Sequence, residues 1–380
     1  MRLLLSAASW VITLYVGVGL LGLALSKLRS WLQPATLPAV RRWPAILVLV
    51  PAHNEEAVIG PCVASIGHAA HLYPGRVRVI VVADGCIDWT ADVARQHGAE
   101  VIEIPDGGRG KQVAIARALA RVWHDDWDAL ALVDADNLLD PRFFVEAGRR
   151  LAAGAPAVQG YIATANPTAS WVSSAYALAY YWAHAIAQAG REALGLSAML
   201  GGTGCLISRA TLTRLPWSGR TVSDDLEYTV RMVASRLRVH YEPRALVFDQ
   251  KPTSLRVSLR QRTRWLRGHL QVYAAYGAHL VRRLPTPAAL DLVLYGLYPF
   301  AAAVALLQVV ALLLSGHAVS AMTGLAIGAL FMAPAAPPRY WGRLWLMPLW
   351  SLTWLVPFWV ALATWRQRAW YHTPHVPQTG

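Results

Sequence analysis

The chain has 380 residues, 55% of them hydrophobic and 15% charged, and a formal net charge of +13; its mean hydropathy is +0.34. This is too apolar for an ordinary soluble enzyme and too interrupted by polar stretches for a pure bundle of membrane helices, so two regimes share one chain. The charge alone suits nucleic acid, anionic lipid or a phosphate-rich small substrate. No RNA-binding motif, zinc finger or unbroken Lys/Arg run is present, and the arginines crowd near the apolar segments, which favours a membrane surface and a diphosphate over nucleic acid. The cysteines, Cys62, Cys86 and Cys205, are odd in number and form no CxxC, so neither a disulfide framework nor a zinc site is expected, in keeping with a reducing cytosol.

Residues 1–26 read as an uncut transmembrane anchor. Leu3 to Leu25 is apolar apart from small hydroxyls, long enough to cross a bilayer, and without a small-x-small cleavage site before Lys27. Only Arg2 precedes it, whereas Lys27, Arg29, Arg41 and Arg42 follow, so the positive-inside bias places the downstream chain in the cytosol. Pro34, Pro38 and Pro44 make residues 27–44 a stiff linker.

From residue 45 short apolar runs alternate with helical stretches. Ile46 to Val50 is followed by a helix from about Glu55 to His71, Val77 to Ala83 by a helix from Trp89 to His97, and Val101 to Ile104 by a helix after Gly110, with a further strand ending at Val133. This βαβ rhythm predicts a mostly parallel sheet covered by helices on both faces, whose ligands sit at the carboxyl ends of the strands. Those ends carry Pro51-Ala52-His53-Asn54-Glu55, Asp84-Gly85 and Asp134-Ala135-Asp136. In an extended chain Asp134 and Asp136 point the same way and can share a hard cation or a phosphate-bound metal; a turn of solvated aspartates is the competing reading.

Asp106-Gly107-Gly108-Arg109-Gly110-Lys111 departs from Walker spacing. As a glycine loop opening a helix it can bring Arg109 and Lys111 to a phosphate, or be a plain solvated loop. Thr168 to Gln188, with Trp171, Tyr176, Tyr180, Tyr181 and Trp182, suits a helix under a bilayer face or an ordinary packed one. Gly201-Gly202-Thr203-Gly204 lets backbone approach a substrate or another element closely. Thr221 to Glu227 predicts a helix start with Ser223 as N-cap. Asp224 and Asp225 then lie in the first turn, where the helix dipole is itself a sufficient reason for acids and a base aimed into the crevice is the functional one.

Residues 253–286 predict an amphipathic interface helix, regular from Ser254 to about Tyr276. Gln261, Arg264 and Trp265, at i, i+3 and i+4, share one face that offers an amide, a guanidinium fork for a diphosphate and a ring platform. Arg256, Arg260, Arg262 and Arg267 share the helix, some of them suited to lipid head groups. Apolar segments return within 287–365, at about Asp291–Leu314, His317–Met332 and Leu344–Thr364. Three crossings would put the end outside, yet Arg366 and Arg368 in the 366–380 tail argue for inside, so one segment, the Trp-rich and Pro-broken Leu344–Thr364 or the short middle one, is expected to lie in the interface or to re-enter.

Taken together, these motifs resemble the membrane-bound glycosyltransferase family 2 enzymes, relatives of cellulose, chitin, hyaluronan and poly-N-acetylglucosamine synthases and of ceramide glucosyltransferases. The resemblance covers roughly Ile46 to Gly268. Pro51 to Glu55 is similar to the family's opening turn, Asp84-Gly85-Cys86-Ile87-Asp88 to its first acidic motif, Asp134-Ala135-Asp136 to its DxD, Ser223-Asp224-Asp225 to its Thr-Glu-Asp, and Gln261 to Trp265 to QxxRW; Trp370 to Pro374 resembles its tail. His53 and Asp224 depart from the usual Tyr and Glu. The resemblance implies an α/β GT-A domain over residues 45–252 with membrane helices before and after it, in a multi-pass protein of the inner membrane whose catalytic domain is cytoplasmic. It implies substrate contacts at Pro51, Glu55, Asp84, Lys111, Asp134, Asp224, Gln261, Arg264 and Trp265, Mg²⁺ or Mn²⁺ at Asp136, and Asp225 as catalytic base. The expected reaction is inverting transfer from a UDP-sugar to a lipid or lipid-linked acceptor at the cytosolic membrane face. Processive β-polysaccharide synthesis on a glycan is the alternative, a silent membrane scaffold a distant one, and no nucleic acid is involved.

Overall fold

The computed structural model describes residues 2–32, 39–108, 110–217, 219–330 and 336–367. Arg109, Pro34, Pro38 and the motif at Trp370 to Pro374 lie outside them. The chain divides into two compact units: residues 39–165 with 197–250 form one, and residues 2–32, 166–196 and 251–367 the other.

After α1 (Arg2–Leu32) the first unit runs β1 (Ile46–Ala52), α2 (Ile59–Leu72), β2 (Val77–Asp84), α3 (Thr90–Gln96), β3 (Glu100–Ile104), α4 (Lys111–Val122), β4 (Ala129–Leu132), β5 (Leu138–Leu139), α5 (Phe143–Ala152) and β6 (Ala157–Thr164). The chain then enters the second unit as α6 (Trp171–Tyr181), a π-helical stretch (Trp182–Gln188) and α7 (Ala189–Ala193). It returns as β7 (Cys205–Ser208), α8 (Arg209–Arg214), α9 (Asp224–Ala234) and β8 (Val239–Asp249). The strands form one sheet in the order β3-β2-β1-β4-β7-β6-β8-β5. β1 pairs parallel to β2 and β4, β2 to β3, and β6 to β8, while β7 and β5 run antiparallel to their neighbours. Ile46 to Val50 are wholly buried, as a strand covered on both faces requires.

The sequence's helix from Glu55 starts four residues later. Asn54 takes a left-handed conformation, φ 56°, and the Glu55 carbonyl accepts from the amides of Val58 and Ile59 at 3.0 and 2.9 Å, so residues 53–58 form a turn. β4 likewise stops at Leu132, and the Asn137 amide bonds the Asp134 carbonyl at 3.1 Å. Asp134 and Asp136 therefore sit on a turn, not at the two-residue period of an extended strand.

The second unit continues with α10 (Leu255–Val281), α11 (Pro287–Leu314), α12 (Ala318–Leu330), a 3₁₀ turn (Pro338–Arg343), α13 (Leu346–Leu352) and α14 (Leu355–Thr364). Pro287–Leu314 and Leu346–Thr364 are long and apolar enough to cross a membrane, and Ser6–Gly22 is a shorter apolar stretch within α1. Of the two readings of Thr168 to Gln188, packing holds for its first half: Val172 to Leu178 are buried against Trp350 and Met347. Arg191 and Asp291 form an ion pair at 2.7 Å; both side chains are almost wholly buried, where a paired guanidinium is tolerated and a lone one is not.

Candidate functional site

Register brings the site together. Ala52 pairs with Ala83 across β1 and β2, and Leu49 with Leu132 across β1 and β4, so residues 51–55, 84–85 and 134–137 gather at one edge of the sheet, the carboxyl ends of its parallel strands. Pro51, next to the last residue of β1, pairs with Val82. Glu55 is buried behind the turn, its amide donating to Thr90 Oγ1 at 2.8 Å. His53 Nδ1 donates to the Asp84 carbonyl at 2.6 Å, tying the β1 turn to the end of β2.

Asp84 is 5% exposed. Burial raises its carboxyl above the usual carboxylate range, with the Gly108 amide offsetting part of that. Its Oδ1 has no hydrogen-bond partner among the described residues, and a Cβ on Gly107 would lie 2.2 Å from that oxygen. A buried acceptor without a donor is costly unless a ligand supplies one.

Lys111, the first residue of α4, donates through Nζ to Asp134 Oδ1 and to the Gly202 carbonyl at 2.6 Å. Burial alone would depress this ammonium, but Asp134, with Asp224 and Asp225 near it, outweighs burial and holds it above its ordinary value. Gly202 has φ +79°, and a Cβ there would lie 3.3 Å from Asp225 Oδ2 and 3.6 Å from Lys111 Nζ. The glycine run thus admits backbone against both charged groups. Its neighbour Thr203 accepts from the Asp134 amide at 3.0 Å and donates to Asn137 Oδ1 at 2.6 Å, and Asn137 Nδ2 donates to Asp136 Oδ1 at 2.9 Å. Gln159 braces the run from beneath, accepting from the Gly201 amide at 2.8 Å and donating to the Thr203 carbonyl at 3.1 Å.

Asp224 and Asp225 open α9. Ser223 occupies the N-cap position but its side chain makes no cap bond; instead Asp225 Oδ1 accepts from the Leu226 amide at 2.7 Å, and Thr229 Oγ1 donates to the Asp225 carbonyl at 2.9 Å. Glu227, 1% exposed, takes the amides of Arg220 and Thr221 at 2.9 and 2.8 Å, which makes it a support for the approaching loop. Pro51, Glu55, Asp84, Lys111, Asp134, Asp136, Asp224 and Asp225 thus all lie in the first unit, with a continuous network from Lys111 through Asp134 and Thr203 to Asp136. Thr203, Asn137 and Gln159 are the supporting residues that sequence reasoning did not single out. Asn137 follows the acidic motif and Thr203 sits within the glycine run, but their partnership spans 66 positions and no local pattern encodes it.

Gln261, Arg264 and Trp265 belong to the second unit, on one face of α10 as their spacing predicts. Gln261 Oε1 accepts from Tyr176 O–H at 3.0 Å, Trp265 meets the Tyr176 ring edge-on at 6.2 Å, and Arg264 Nε is buried without a hydrogen-bond partner.

Among the described residues no group of three or more His, Cys, Asp or Glu side chains is arranged to hold a metal ion unaided. Asp136 is buried with its Oδ1 accepting from Asn137 Nδ2; its carboxylate fits Mg²⁺ or Mn²⁺ of the kind that takes one carboxylate and fills its shell with phosphate oxygens and water.

The chain is also similar to known proteins. The chain is 27% identical over 257 residues to "Probable glycosyltransferase YdaM" of Bacillus subtilis, covering 64% of this chain and 59% of that protein. It is 28% identical over 278 residues to an N-acetylglucosaminyltransferase of Rhizobium meliloti, covering 66% and 64%. The chain thus spans less than two thirds of the length of these curated relatives. Among solved structures, the mannosyltransferase PcManGT from Pyrobaculum calidifontis, in complex with GDP-Man and Mn²⁺, superposes with a TM-score of 0.63 at 20% identity over 95% of this chain and 98% of that one, a shared GT-A-type fold. The family model "Glycosyltransferase like family 2" matches residues 44–268, more than half of the sequence, and the chain belongs to that family.

Proposed function

We propose that this glycosyltransferase is a membrane enzyme that moves a sugar from a UDP-sugar to a lipid or lipid-linked acceptor at the cytosolic face, with inversion at the anomeric carbon. The observation that carries the reading is the convergence of Lys111, Asp134 and Asp225 on Gly202. A base, a cation and the acid that follows β4 meet there around left-handed glycine backbone. Asp84, with its unpartnered buried oxygen, receives an N–H of the nucleotide base; Asp134, steadied by Lys111, holds the nucleotide's sugar side. Asp136 would hold the Mg²⁺ or Mn²⁺ that, when bound with the diphosphate, offsets negative charge on the leaving group. Pro51 and Glu55 shape the turn behind the nucleotide, Asp224 adds charge beside Lys111, and Gln261, Arg264 and Trp265 serve the diphosphate and the acceptor.

In the transfer step the acceptor hydroxyl oxygen forms a bond to the anomeric carbon, its proton passes to Asp225, and the bond from that carbon to the diphosphate oxygen breaks. The nucleoside diphosphate leaves from the opposite face, so an α-linked donor yields a β-linked product. The apolar helices Pro287–Leu314 and Leu346–Thr364 and the apolar stretch of α1 support a lipid-side acceptor and residence in the inner membrane. The relatives named N-acetylglucosaminyltransferase make UDP-N-acetylglucosamine the first donor to try. Asp225→Asn tests the chemistry: transfer falls by about 10²–10⁴-fold, the usual worth of a general base, while nucleotide binding by calorimetry is unchanged. Transfer by this variant at the parent rate would overturn the role of Asp225.

A further inference from the structure

We infer that Thr203 is a positioning residue for the metal carboxylate Asp136, acting through Asn137, so that the glycine run sets how the cation is held. The inference rests on the reading of Asp136 above and deepens it, since it names what orients that carboxylate.

The direction of the hydrogen bonds is fixed from one end. The Asp134 backbone N–H can only donate, and it donates to Thr203 Oγ1 at 3.0 Å. The Thr203 hydroxyl then places its own proton on Asn137 Oδ1 at 2.6 Å, which turns the Asn137 carbonyl towards Thr203 and its NH₂ towards Asp136. Asn137 Nδ2 accordingly donates to Asp136 Oδ1 at 2.9 Å. Reversing the amide would set its oxygen against the Asp136 carboxylate and deprive the Thr203 proton of this acceptor. A backbone N–H thus dictates, through two side chains, which group meets Asp136.

Burial makes the chain stringent. Thr203 is 2% exposed, Asn137 0% and Asp136 8%, so water has little access to replace a lost partner, and an unmade bond is costly there.

The glycine run is meanwhile closed onto the sheet by other bonds. Gln159 holds the Gly201 amide and the carbonyls of Thr203 and Gly204, the Gly160 amide donates to the Gly204 carbonyl at 2.9 Å, and Lys111 Nζ holds the Gly202 carbonyl. What the Thr203 hydroxyl adds to these is the proton on Asn137 Oδ1.

A cation of the Mg²⁺ type demands near-ideal directions from its few protein ligands. Asp136 follows β4 on a turn, where no ladder of strand bonds fixes its side chain, and the bond chain to a loop 66 positions away from Asn137 supplies the orientation instead. The same loop presents Gly202 to Lys111 and Asp225, so metal carboxylate and base are both referenced to one piece of backbone.

The test reads Mn²⁺ binding rather than turnover. Purified full-length chain in detergent, with UDP present, is titrated with Mn²⁺, and the free cation is followed by electron paramagnetic resonance. The parent binds Mn²⁺ saturably and Asp136→Asn abolishes that binding. Thr203→Val weakens it by about 10–100-fold, the usual weight of a group that orients a metal ligand, and Thr203→Ser, which keeps the hydroxyl, restores it. Asn137→Ala weakens it as much, and the double variant is no weaker than Asn137→Ala alone, because Thr203 acts through Asn137. Where Thr203→Val does not fold, Asn137→Ala decides, since it leaves the bond from Asp134 to Thr203 in place. Parent affinity in Asn137→Ala or in folded Thr203→Val, losses that add in the double variant, or no rescue by Thr203→Ser overturns the inference while the metal role of Asp136 stands. Mn²⁺ binding that Asp136→Asn leaves unchanged, or no binding by the parent, overturns that role and the inference with it.

Discussion

Asp84 is a carboxyl whose burial is a cost to the fold. Burial favours its neutral form, so the folded state binds its proton more tightly than the unfolded chain does, and stability contributed at acid pH is lost as pH rises through the raised folded value. Asp84→Asn, which carries no charge to bury, should therefore gain thermal stability relative to the parent at pH 7 and lose that advantage at pH 4. Its affinity for UDP should fall at least about tenfold, the equivalent of one hydrogen bond to a charged group. A variant destabilised at pH 7 would show that the carboxylate is satisfied in a way this geometry lacks. Gly202→Ala makes a second case: positive φ costs a non-glycine residue about 1–2 kcal/mol, and the new methyl presses on Asp225. Thermal unfolding should report that loss together with a fall in kcat; normal kcat in a normally stable variant would remove Gly202 from the site. That Asp84, Lys111 and Asp134 lie where the carboxyl ends of the parallel strands meet the helix starts was legible in the sequence, because the βαβ rhythm fixes those ends. The Thr203–Asn137–Asp136 chain was not, because ordinary polar residues acquire that role only when a distant loop folds against the strand end.

At the scale of elements, periodicity located β1, β2, β3 and α4 within a residue or two. It missed where α2 begins and that Asp134 and Asp136 follow β4 on a turn, because a left-handed Asn54 and the turn after Leu132 leave no periodic signature. On α10 the spacing of Gln261 and Trp265 correctly gave one face, on which both meet Tyr176. Arg262, between them, is wholly buried, with Nε and Nη2 lacking hydrogen-bond partners; its fate depended on the break between α13 and α14, invisible from its own surroundings in sequence. Two substitutions separate its roles. Trp350→Ala opens a cavity among Tyr176, Met347 and Arg262 and should cost about 3–5 kcal/mol, read as a lowered unfolding temperature in detergent. Arg262→Met removes the two unsatisfied donors but also the Thr353 hydrogen bond and the guanidinium's seat over the Trp350 and Trp354 rings, so it should cost less than Trp350→Ala, about 1 kcal/mol. If Arg262→Met is the more damaging of the two, the guanidinium is doing more than filling space.

For the whole molecule, the two regimes inferred from composition correspond to the two compact units, one built on a sheet and one on helices. Composition could separate them because apolar residues serve a sheet core in short runs and a lipid-facing helix in long ones. It could not decide which long runs cross, because length and hydropathy are equally satisfied by a helix fastened along an interface. The membrane reading requires that the protein sediment with membranes after alkaline carbonate treatment; its appearance in the supernatant would contradict that reading. The account's central claim, sugar transfer to a lipid-side acceptor, is tested most directly by incubating native membranes with radiolabelled UDP-sugars and a divalent metal, then extracting with organic solvent, using membranes that carry Asp225→Asn as the control. The account predicts metal-dependent label in the organic phase from at least one donor and its loss in the control; label confined to insoluble polymer, or no incorporation from any UDP-sugar, would contradict it.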